Sequence, residues 1–436
     1  MAENAFAPHE LDAAWPALSI EERVEGFELL RRDDAEEFFL RLSARDQAQI
    51  ILALPQGERR LWLRLLAPDE AVDLIQEVPQ DKREELLQLL DETTRREVKG
   101  LLAYAEDDAG GLMNPRYARL RPDMSVDEAI SYLRRDARAR TTVYYAFVVD
   151  SENRLMGVVS FRDLFAASGD RPVQEVMRKD IVTASEDMDQ EALSHLFAKH
   201  NLLMIPVVDS ERRIKGIVTF DDIMDVVQEE ATEDIQKIGG TQALEAPYLQ
   251  VPLVHMIKKR AGWLVVLFLG EMLTATAMGY FEEEIARAVV LALFVPLIIS
   301  SGGNSGSQAT TLVIRAMALG ELRLRDWWRV IRRELATGLA LGSILGAIGL
   351  LRILLWQRFF HLYGEHYILV AVTVALSLIG VVLWGTISGS ILPFVLRALG
   401  LDPASASAPF VATLVDVTGL IIYFTVASMI LTGTLL

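Results

Sequence analysis

A single carboxylate interrupts an otherwise uncharged apolar run near the C-terminus. Asp416 lies within the stretch 409–428, and the run continues to Leu436; this is long enough to cross a bilayer, because a spanning helix needs roughly 20 apolar residues. A charged group at that depth is costly, so it normally faces a bundle interior or a water-filled path. Helical spacing gives this segment one small, polar face, formed by Ala412, Asp416, Gly419 and Tyr423. The pattern indicates a cation path; the structural alternative is an Asp that hydrogen-bonds a neighbouring helix.

An earlier apolar run carries closely spaced glycines together with amide side chains. They are Gly302, Gly303 and Gly306, with Asn304 and Gln308. Three glycines within five residues weaken a helix. Irregular, polar backbone at membrane depth is tolerated only where protein or water covers it. The sequence therefore predicts an irregular segment that lines a covered or water-filled space.

The composition divides the chain of 436 residues into an acidic half and an apolar half. Residues 1–250 hold 30 Lys and Arg against 50 Asp and Glu, whereas residues 251–436 hold 13 against 10. An acidic surface repels nucleic acid and attracts cations, so a nucleic-acid partner is not expected. Cysteine is absent, which excludes disulfides and Cys zinc sites.

Five apolar runs in the second half are each long enough to cross a bilayer. They are Ala261–Phe281, Ile285–Ala309, Leu335–Trp356, Tyr367–Leu396 and Ala408–Leu436. Basic loops alternate with loops that are poor in Lys and Arg, so the positive-inside rule assigns the N-terminal half to the cytoplasm. Five crossings then predict a C-terminus outside. Arginines are concentrated between the second and third runs, where six of them lie within 315–333.

A second carboxylate, Glu271, lies inside the first of these runs. It is a candidate second cation ligand, or the proton or Na⁺ site of a coupled transporter. A hydrogen-bonded or lipid-shielded role is the structural alternative.

Residues 113–227 contain an internal repeat. The segments 147–165 and 206–224 are identical at ten of nineteen positions, with an offset of 59 residues, which indicates a duplicated module. Each copy is typical of a strand, a turn, a strand and a helix, because β-branched pairs flank turn residues. Ser160 with Asp163, and Thr219 with Asp222, form helix-start signals.

Residues 10–105 predict consecutive amphipathic helices that form a small solenoid. Ser19 and Glu22 match a capping box, and Ser43 and Asp69 are predicted N-caps. The segment 228–260, which follows the repeat, is interpreted either as a mechanical linker or as a regulatory helix.

Taken together, these features resemble the MgtE family of magnesium channels. The likeness is carried by Gly302-Gly303-Asn304 with Gln308, by Leu392-Pro393-Phe394, by Asp402-Pro403-Ala404, and by 410–423 around Asp416. It implies a multidomain membrane protein with an all-α superhelical N domain, an α/β tandem CBS module and an α-helical bundle of five spans per chain. The implied boundaries are 1–105 for the N domain, 106–170 and 171–230 for two CBS domains, 231–260 for a linker (plug) helix, and 261–436 for the pore domain.

The resemblance also implies a homodimer in the bilayer, with its pore between the second and fifth spans along the dimer axis. In the family pattern Asp416 matches the acid that binds hydrated Mg²⁺, and Ala412 and Asn304 line the path. Mg²⁺ sheds water reluctantly and is usually held by one or two carboxylates plus retained waters. Two Asp416 side chains facing each other would provide such a site.

Gating by intracellular Mg²⁺ is a further implication of the resemblance. The positions that match sensor acids are Asp69, Asp73, Glu191, Asp222, Asp225, Glu230, Glu233 and Asp234. The chain departs from the family pattern at Asn201, where a sensor acid is expected, and at Glu271. On this interpretation Asn201→Asp would add a ligand near Glu191.

Tandem CBS domains often bind adenine nucleotides, with the [Ser/Thr]-x-x-Asp motif on the ribose. This implies ATP as a ligand at Thr219 and Asp222 and at Ser160 and Asp163, whereas plain helix caps are the alternative.

The function that the resemblance implies is Mg²⁺ entry through a channel that intracellular Mg²⁺ closes. The chain has no Walker A motif and no phosphorylated-Asp ATPase signature, so an enzyme or pump is not expected and a passive channel is favoured. The alternative is a cation-coupled secondary transporter of divalent metals with nucleotide regulation. The resemblance implies a bacterial inner membrane location.

Overall fold

The computed structural model describes residues 8–136, 144–244, 246 and 248–435. The chain forms two compact units, Met1–Val227 and Gln228–Leu436, and each unit is considered by itself.

The N-terminal part of the first unit is helical throughout its described residues, as predicted. Its eight α-helices are α1 (Pro8–Ala14), α2 (Ile20–Glu28), α3 (Arg32–Arg41), α4 (Ala44–Ala53), α5 (Gln56–Leu63), α6 (Pro68–Glu77), α7 (Gln80–Leu89) and α8 (Glu92–Leu101). The capping box is confirmed, because Ser19 Oγ accepts from the Glu22 backbone and Glu22 accepts from the Ser19 backbone. Ser43 caps α4. The cap predicted at Asp69 is wrong: Ala67 is the N-cap of α6, and Pro68 starts the helix with Asp69 already inside it.

The repeat folds into two copies of a three-stranded sheet. The elements are α9 (Ala109–Leu112), β1 (Arg119–Leu120), α10 (Val126–Asp136), β2 (Tyr145–Val149), β3 (Leu155–Ser160), α11 (Phe161–Ala166), α12 (Val173–Val176), β4 (Ala184–Ser185), α13 (Gln190–His200), β5 (Met204–Val208), β6 (Ile214–Thr219) and α14 (Phe220–Ile238). In each copy a parallel pair is followed by an antiparallel hairpin, β1-β2-β3 and β4-β5-β6. The strand, turn, strand and helix order predicted from the repeat is confirmed.

One hydrophobic core joins the helical part to the second sheet. Phe38, Phe39 and Leu74 from the helices belong to the same buried cluster as Phe197 and Val218 from the second copy of the repeat. Apolar burial of this kind is the main stabilising term of folding. The shared core fixes α6 next to the start of α14.

The second unit contains five helices that are long and apolar enough to cross a membrane. They are α15 (Leu253–Tyr280), α18 (Val295–Ala318), α19 (Trp327–Phe360), α20 (Tyr367–Ala398) and α21 (Ala408–Leu431), and the short helices α16 (Glu282–Arg287) and α17 (Val289–Ala292) precede α18. The segment predicted as a linker helix, 231–260, holds the end of α14, a loop and the beginning of α15. Leu436, the predicted end of the last span, lies outside the described residues.

The second apolar run differs from its prediction in two respects. It is not one helix from Ile285, because the backbone leaves the helical conformation at Ala288 and α18 starts at Val295 with Pro296 in its first turn. Conversely, the glycine segment is regular: α18 runs unbroken to Ala318. The prediction of irregular backbone at 302–306 is therefore wrong.

Candidate ion pathway and acidic sensor site

Close packing explains why the glycines of α18 stay helical. A Cβ on Gly302 would lie 2.5 Å from Val381 Cγ1, and one on Gly306 would lie 2.9 Å from the Gly385 carbonyl oxygen. Thr310 Oγ1 donates to the Gly389 carbonyl at 2.7 Å. Small residues let membrane helices approach to backbone distance, so these contacts compensate for the low helix propensity of glycine.

Gly303 faces the acid of α21. A Cβ on Gly303 would lie 3.4 Å from Ala412 Cβ and 3.6 Å from Asp416 Oδ1. Gly303, Ala412 and Asp416 therefore form one small-walled surface, and Asp416 is half-buried in it. Asn304 lies on the next position of α18, is exposed in the single chain, and donates to Ser300 Oγ at 3.4 Å.

Two members of the predicted polar face do not belong to this surface. Tyr423 is fully buried, and its hydroxyl donates to the Leu291 carbonyl at 2.9 Å. Gly419 packs against Val381, which would lie 2.9 Å from its added Cβ. Helical spacing alone placed them beside Asp416, but packing against α17 and α20 makes both structural. The assignment of Gly419 and Tyr423 to a cation path is therefore wrong.

Glu271 of α15 lies near Asp416. The two helices meet where Gly270 approaches Thr413, at 3.0 Å from an added Cβ to Thr413 Cγ2. Glu271 is exposed in the single chain, and it is close enough to Asp416 for like-charge repulsion. The structure thus places a carboxylate, that of Glu271, close to Asp416.

In the first unit, two of the predicted sensor acids come together. Asp69 on α6 is only 8% exposed and accepts a hydrogen bond from Asn114 Nδ2 at 3.0 Å. Burial raises the pKa of the Asp69 carboxyl to about 8, and the neighbouring charges of Asp222 and Glu70 act in the same direction. Burial also raises the pKa of Asp222 to about 6, although hydrogen bonds from Thr219 act against it. Two neighbouring carboxyl groups repel each other when both are ionised, and a bound cation would relieve that repulsion.

The other predicted sensor acids are more dispersed. Asp73, Glu191 and Asp225 are exposed, whereas Glu230, Glu233 and Asp234 are partly buried on the last turns of α14. Within the described ranges, no group of three or more His, Cys, Asp or Glu residues is arranged to hold a metal ion. A divalent site here would therefore depend on one or two carboxylates and water, as Mg²⁺ sites commonly do.

Lys237 was not identified from the sequence, and it occupies the centre of the acidic end of α14. Its Nζ lies 2.7 Å from Asp402 Oδ2 and also contacts Glu233 Oε1. Burial opposes the charge of Lys237, but these carboxylates outweigh it and raise the pKa of the ammonium above its usual range. Asp402 in turn caps the 3₁₀ turn Pro403–Ser405, which precedes α21. The sequence contained a signal for this role, because Lys237 is a positive charge that closely follows the predicted acids Glu233 and Asp234.

Asn201 has a structural role. It ends α13 in the left-handed conformation, with φ of 50°, and its backbone N–H bonds to the Phe197 carbonyl. Asn is one of the few residues that adopt this conformation readily. Glu191 lies at the other end of α13, about 15 Å along the helix axis. The prediction that an acid at position 201 would add a ligand near Glu191 is therefore wrong.

The two predicted nucleotide motifs adopt different capping arrangements. Ser160 Oγ accepts from the Asp163 backbone at 3.1 Å. In the second copy the acid is the acceptor: Asp222 Oδ2 receives the Thr219 backbone N–H at 3.1 Å and the Thr219 hydroxyl at 2.6 Å. The side chains of the motif are thus partly occupied in helix capping.

Comparison with known proteins shows where the chain belongs. It matches three families: the MgtE intracellular N domain over residues 7–107, the CBS domain over 109–170 and 173–229, and MgtE, described as a divalent cation transporter, over 295–426. It is 40% identical over 427 residues to the magnesium transporter MgtE of Thermus thermophilus, covering 97% of this chain and 93% of the relative. It is 32% identical over 333 residues to that of Enterococcus faecalis, covering 76% and 71%.

Among solved structures, the chain is similar to the cytosolic domain of the Mg²⁺ channel MgtE in complex with ATP. The identity is 40% and the TM-score 0.48, over 51% of this chain and 90% of that one. The five apolar helices and the long match to the Thermus relative identify an integral membrane protein. The family matches show that it carries a helical N domain and a CBS pair. The chain is a member of the MgtE family.

Proposed function

We propose that this protein is a homodimeric channel for Mg²⁺ entry, closed by Mg²⁺ on the cytoplasmic side. The observation that carries the proposal is the surface formed by Gly303, Ala412 and Asp416, where a membrane carboxylate lies beside small residues of two helices. A space of this kind accommodates an ion that keeps its water shell, which is how Mg²⁺ is usually bound. The T. thermophilus and E. faecalis relatives are magnesium transporters, in agreement with this substrate.

Exposed polar groups support the homodimer. Asn304 and Gln308 are exposed on α18 of the single chain, next to half-buried Asp416. Amide and carboxylate groups in direct contact with lipid tails are unfavourable by several kcal/mol. A second copy packed on this face would remove them from lipid and bring two Asp416 carboxylates to one axis.

The membrane potential is sufficient to drive entry. With the N-terminal half in the cytoplasm and the C-terminus outside, a divalent cation moving inward gains about 4.6 kcal/mol per 100 mV. The bacterial inner membrane provides such a potential. A passive channel therefore needs no second substrate and no hydrolysed nucleotide.

Closure by cytoplasmic Mg²⁺ is proposed to act through α14. The helix carries Asp222, close to Asp69, in its first turn, and Glu230 and Glu233 near its end. Like charges at about 4 Å repel by roughly 4 kcal/mol at an effective dielectric near 20. Mg²⁺ relieves that repulsion, and a few such pairs reach the ~5.5 kcal/mol that reverses a two-state equilibrium.

The gating proposal extends to the remaining sensor acids as further ligands: Asp73, Glu191, Asp225 and Asp234. Neutralising Asp222, Asp225 and Glu230 together is expected to leave conduction intact while shifting closure to higher Mg²⁺. Limited proteolysis of the soluble half provides a second measurement, because Mg²⁺ is expected to protect wild type far more than the triple variant. Equal protection would contradict a sensor role for these acids.

ATP is proposed as a ligand of the CBS pair, with Thr219 and Asp222 or Ser160 and Asp163 on the ribose. The proximity of Asp222 to Asp69 couples this site to the acidic pair. Isothermal titration with ATP, for wild type and Asp163→Asn, tests the first motif without altering the acidic pair.

A cation-coupled transporter is the second candidate, favoured by one observation: Glu271 lies within electrostatic reach of Asp416. Such a carboxylate pair could exchange a proton or Na⁺ for the divalent ion. Current recordings with Mg²⁺ varied on the cytoplasmic side distinguish the two. A channel reverses at the Mg²⁺ equilibrium potential at every pH, and Glu271→Gln keeps that reversal. A pH- or Na⁺-dependent reversal, abolished in Glu271→Gln, would support the transporter instead.

A further inference from the structure

A basic cavity lies at the beginning of the third span. It has a volume of about 490 Å³ and is lined by Arg325, Asp326, Trp328, Arg329, Arg332 and Arg333. This cavity is called the arginine pocket below. Arg325 and Asp326 belong to the 3₁₀ turn Leu324–Asp326, which precedes α19. Within α19, helical spacing directs Trp328, Arg329, Arg332 and Arg333 to one side of the helix. None of the acids described so far contributes to it.

The positive charge of the arginine pocket is poorly compensated. Asp326 Oδ1 forms an ion pair with Arg329 Nη1 at 2.9 Å. Across residues 8–136, 144–244, 246 and 248–435, Arg325, Arg332 and Arg333 form no ion pair with a carboxylate within 4 Å. Arg333 interacts electrostatically with the neighbouring Glu334 at longer range. All three are exposed. Guanidinium groups match phosphate oxygens in bidentate geometry, so the pocket suits a phosphate-bearing anion.

The position of the pocket favours a phosphate that belongs to a lipid headgroup. It opens at the start of the apolar segment Leu324–Phe360, where a bilayer has its headgroups. Trp327 and Trp328 beside it are 50% and 57% exposed. Tryptophans in this position are typical of the membrane–water interface, and clusters of four or more Lys and Arg at a span end attract anionic lipids.

We infer that the arginine pocket binds the headgroup of an anionic phospholipid, with its phosphate on Arg325, Arg332 and Arg333 and its chains along the third span. This inference does not depend on the transported ion. It requires an acidic lipid on the side of the membrane that holds the loop between the second and third spans, which the charge distribution assigns to the cytoplasm.

The test uses the full chain reconstituted in mixed phosphatidylcholine and phosphatidylglycerol vesicles, followed by native mass spectrometry of retained lipid. Wild type is expected to retain phosphatidylglycerol in preference to phosphatidylcholine. The variant R325Q/R332Q/R333Q is expected to retain it on the order of 100-fold more weakly, because each basic residue near the surface contributes about fivefold. The matched control R287Q/R358Q/R397Q removes three exposed arginines of the same unit outside the pocket and is expected to behave as wild type.

Two further arms keep the inference testable if the glutamine variant does not insert correctly. The charge-conserving R325K/R332K/R333K is expected to show intermediate retention, since it keeps the charge but loses the guanidinium geometry. Inorganic phosphate added to wild type is not expected to displace the lipid. Equal retention of both lipids by wild type, equal loss in the control and the pocket variant, or displacement by millimolar inorganic phosphate would each overturn a phospholipid site.

Discussion

Replacing the buried carboxyl group of Asp69 is expected to change how the stability of the soluble half depends on pH. The folded-state pKa is about 8 against a usual value of 3.8, so the folded form binds the proton more tightly than the unfolded form. Without divalent cations, stability from this group is complete below pH ~4 and is lost as pH rises towards 8. Between pH 6 and 9 the loss from Asp69 alone amounts to about 1–3 kcal/mol, as one pKa unit corresponds to 1.36 kcal/mol.

Asp69→Asn tests this with little change of shape, because the Asn carbonyl can still accept from Asn114. The temperature at which the soluble half becomes protease-sensitive is expected to fall between pH 6 and 9. This fall is expected to be roughly 2–12 °C smaller in the variant than in wild type. Millimolar Mg²⁺ at pH 9 is expected to raise this temperature again in wild type and to have little effect on it in Asp69→Asn. The matched control Asp81→Asn removes an exposed acid of the next helix and keeps the wild-type slope.

Equal pH slopes for wild type and Asp69→Asn without divalent ions would contradict a raised pKa at Asp69. Equal stabilisation of both proteins by Mg²⁺ at pH 9 would contradict Mg²⁺ binding at this carboxylate. Asp222, whose pKa is about 6, contributes to the slope of both proteins, so the difference between them reports Asp69 together with its coupling to Asp222.

Two substitutions in α18 and one in α14 provide further tests. Gly302→Ala is expected to lower thermal stability in detergent by about 1–3 kcal/mol, since its Cβ would lie 2.5 Å from a Val381 methyl. Gly303→Ala is expected to keep stability but to reduce Mg²⁺ uptake in proteoliposomes, because its Cβ fits at 3.6 Å from Asp416 and occupies the space beside it; unchanged uptake would contradict this path. Lys237→Gln is expected to raise the Mg²⁺ concentration for half-closure roughly fivefold, by loss of an ion pair worth about 1 kcal/mol, and an unchanged concentration in current recordings would exclude a gating role.

The local features of the fold could be predicted from the sequence because they depend on neighbouring residues. The capping box at Ser19 and the strands of the repeat are determined within a few positions, and both were confirmed. Glycine recurs at every fourth position of the third span, at Gly338, Gly342 and Gly346, a spacing that predicts a close-packing face. This face does approach the fourth span, because a Cβ on Gly342 would lie 2.8 Å from Ile379 Cα.

Features that depend on distant contacts could not be predicted. The burial of Asp69 comes from Asn114 and the second copy of the repeat, not from α6 itself. The bond from Lys237 to Asp402 joins residues far apart in sequence. The regularity of α18 through its glycines depends on the backbone of α20, which no local propensity describes.

The position of Asp416 was read correctly as a lone acid in an apolar helix, but its neighbours were not. Periodicity grouped it with Gly419 and Tyr423, whereas the fold places Gly303 of another helix beside it. A periodic pattern identifies a helix face; only packing decides whether that face meets a neighbouring helix or an open space.

Mg²⁺ flux through Asp416→Ala is the most direct test of the central claim that this carboxylate holds the ion in its path. Uptake should be measured in proteoliposomes with an inward Mg²⁺ gradient, beside Thr425→Ala, whose hydroxyl on the same helix bonds only its own backbone at Ile421. Thr425→Ala is expected to show normal uptake, whereas Asp416→Ala is expected to show a fall on the order of 100-fold or more, since about 3–4 kcal/mol of attraction is lost. Wild-type uptake by an Asp416→Ala protein that assembles normally would mean that Asp416 does not hold the ion.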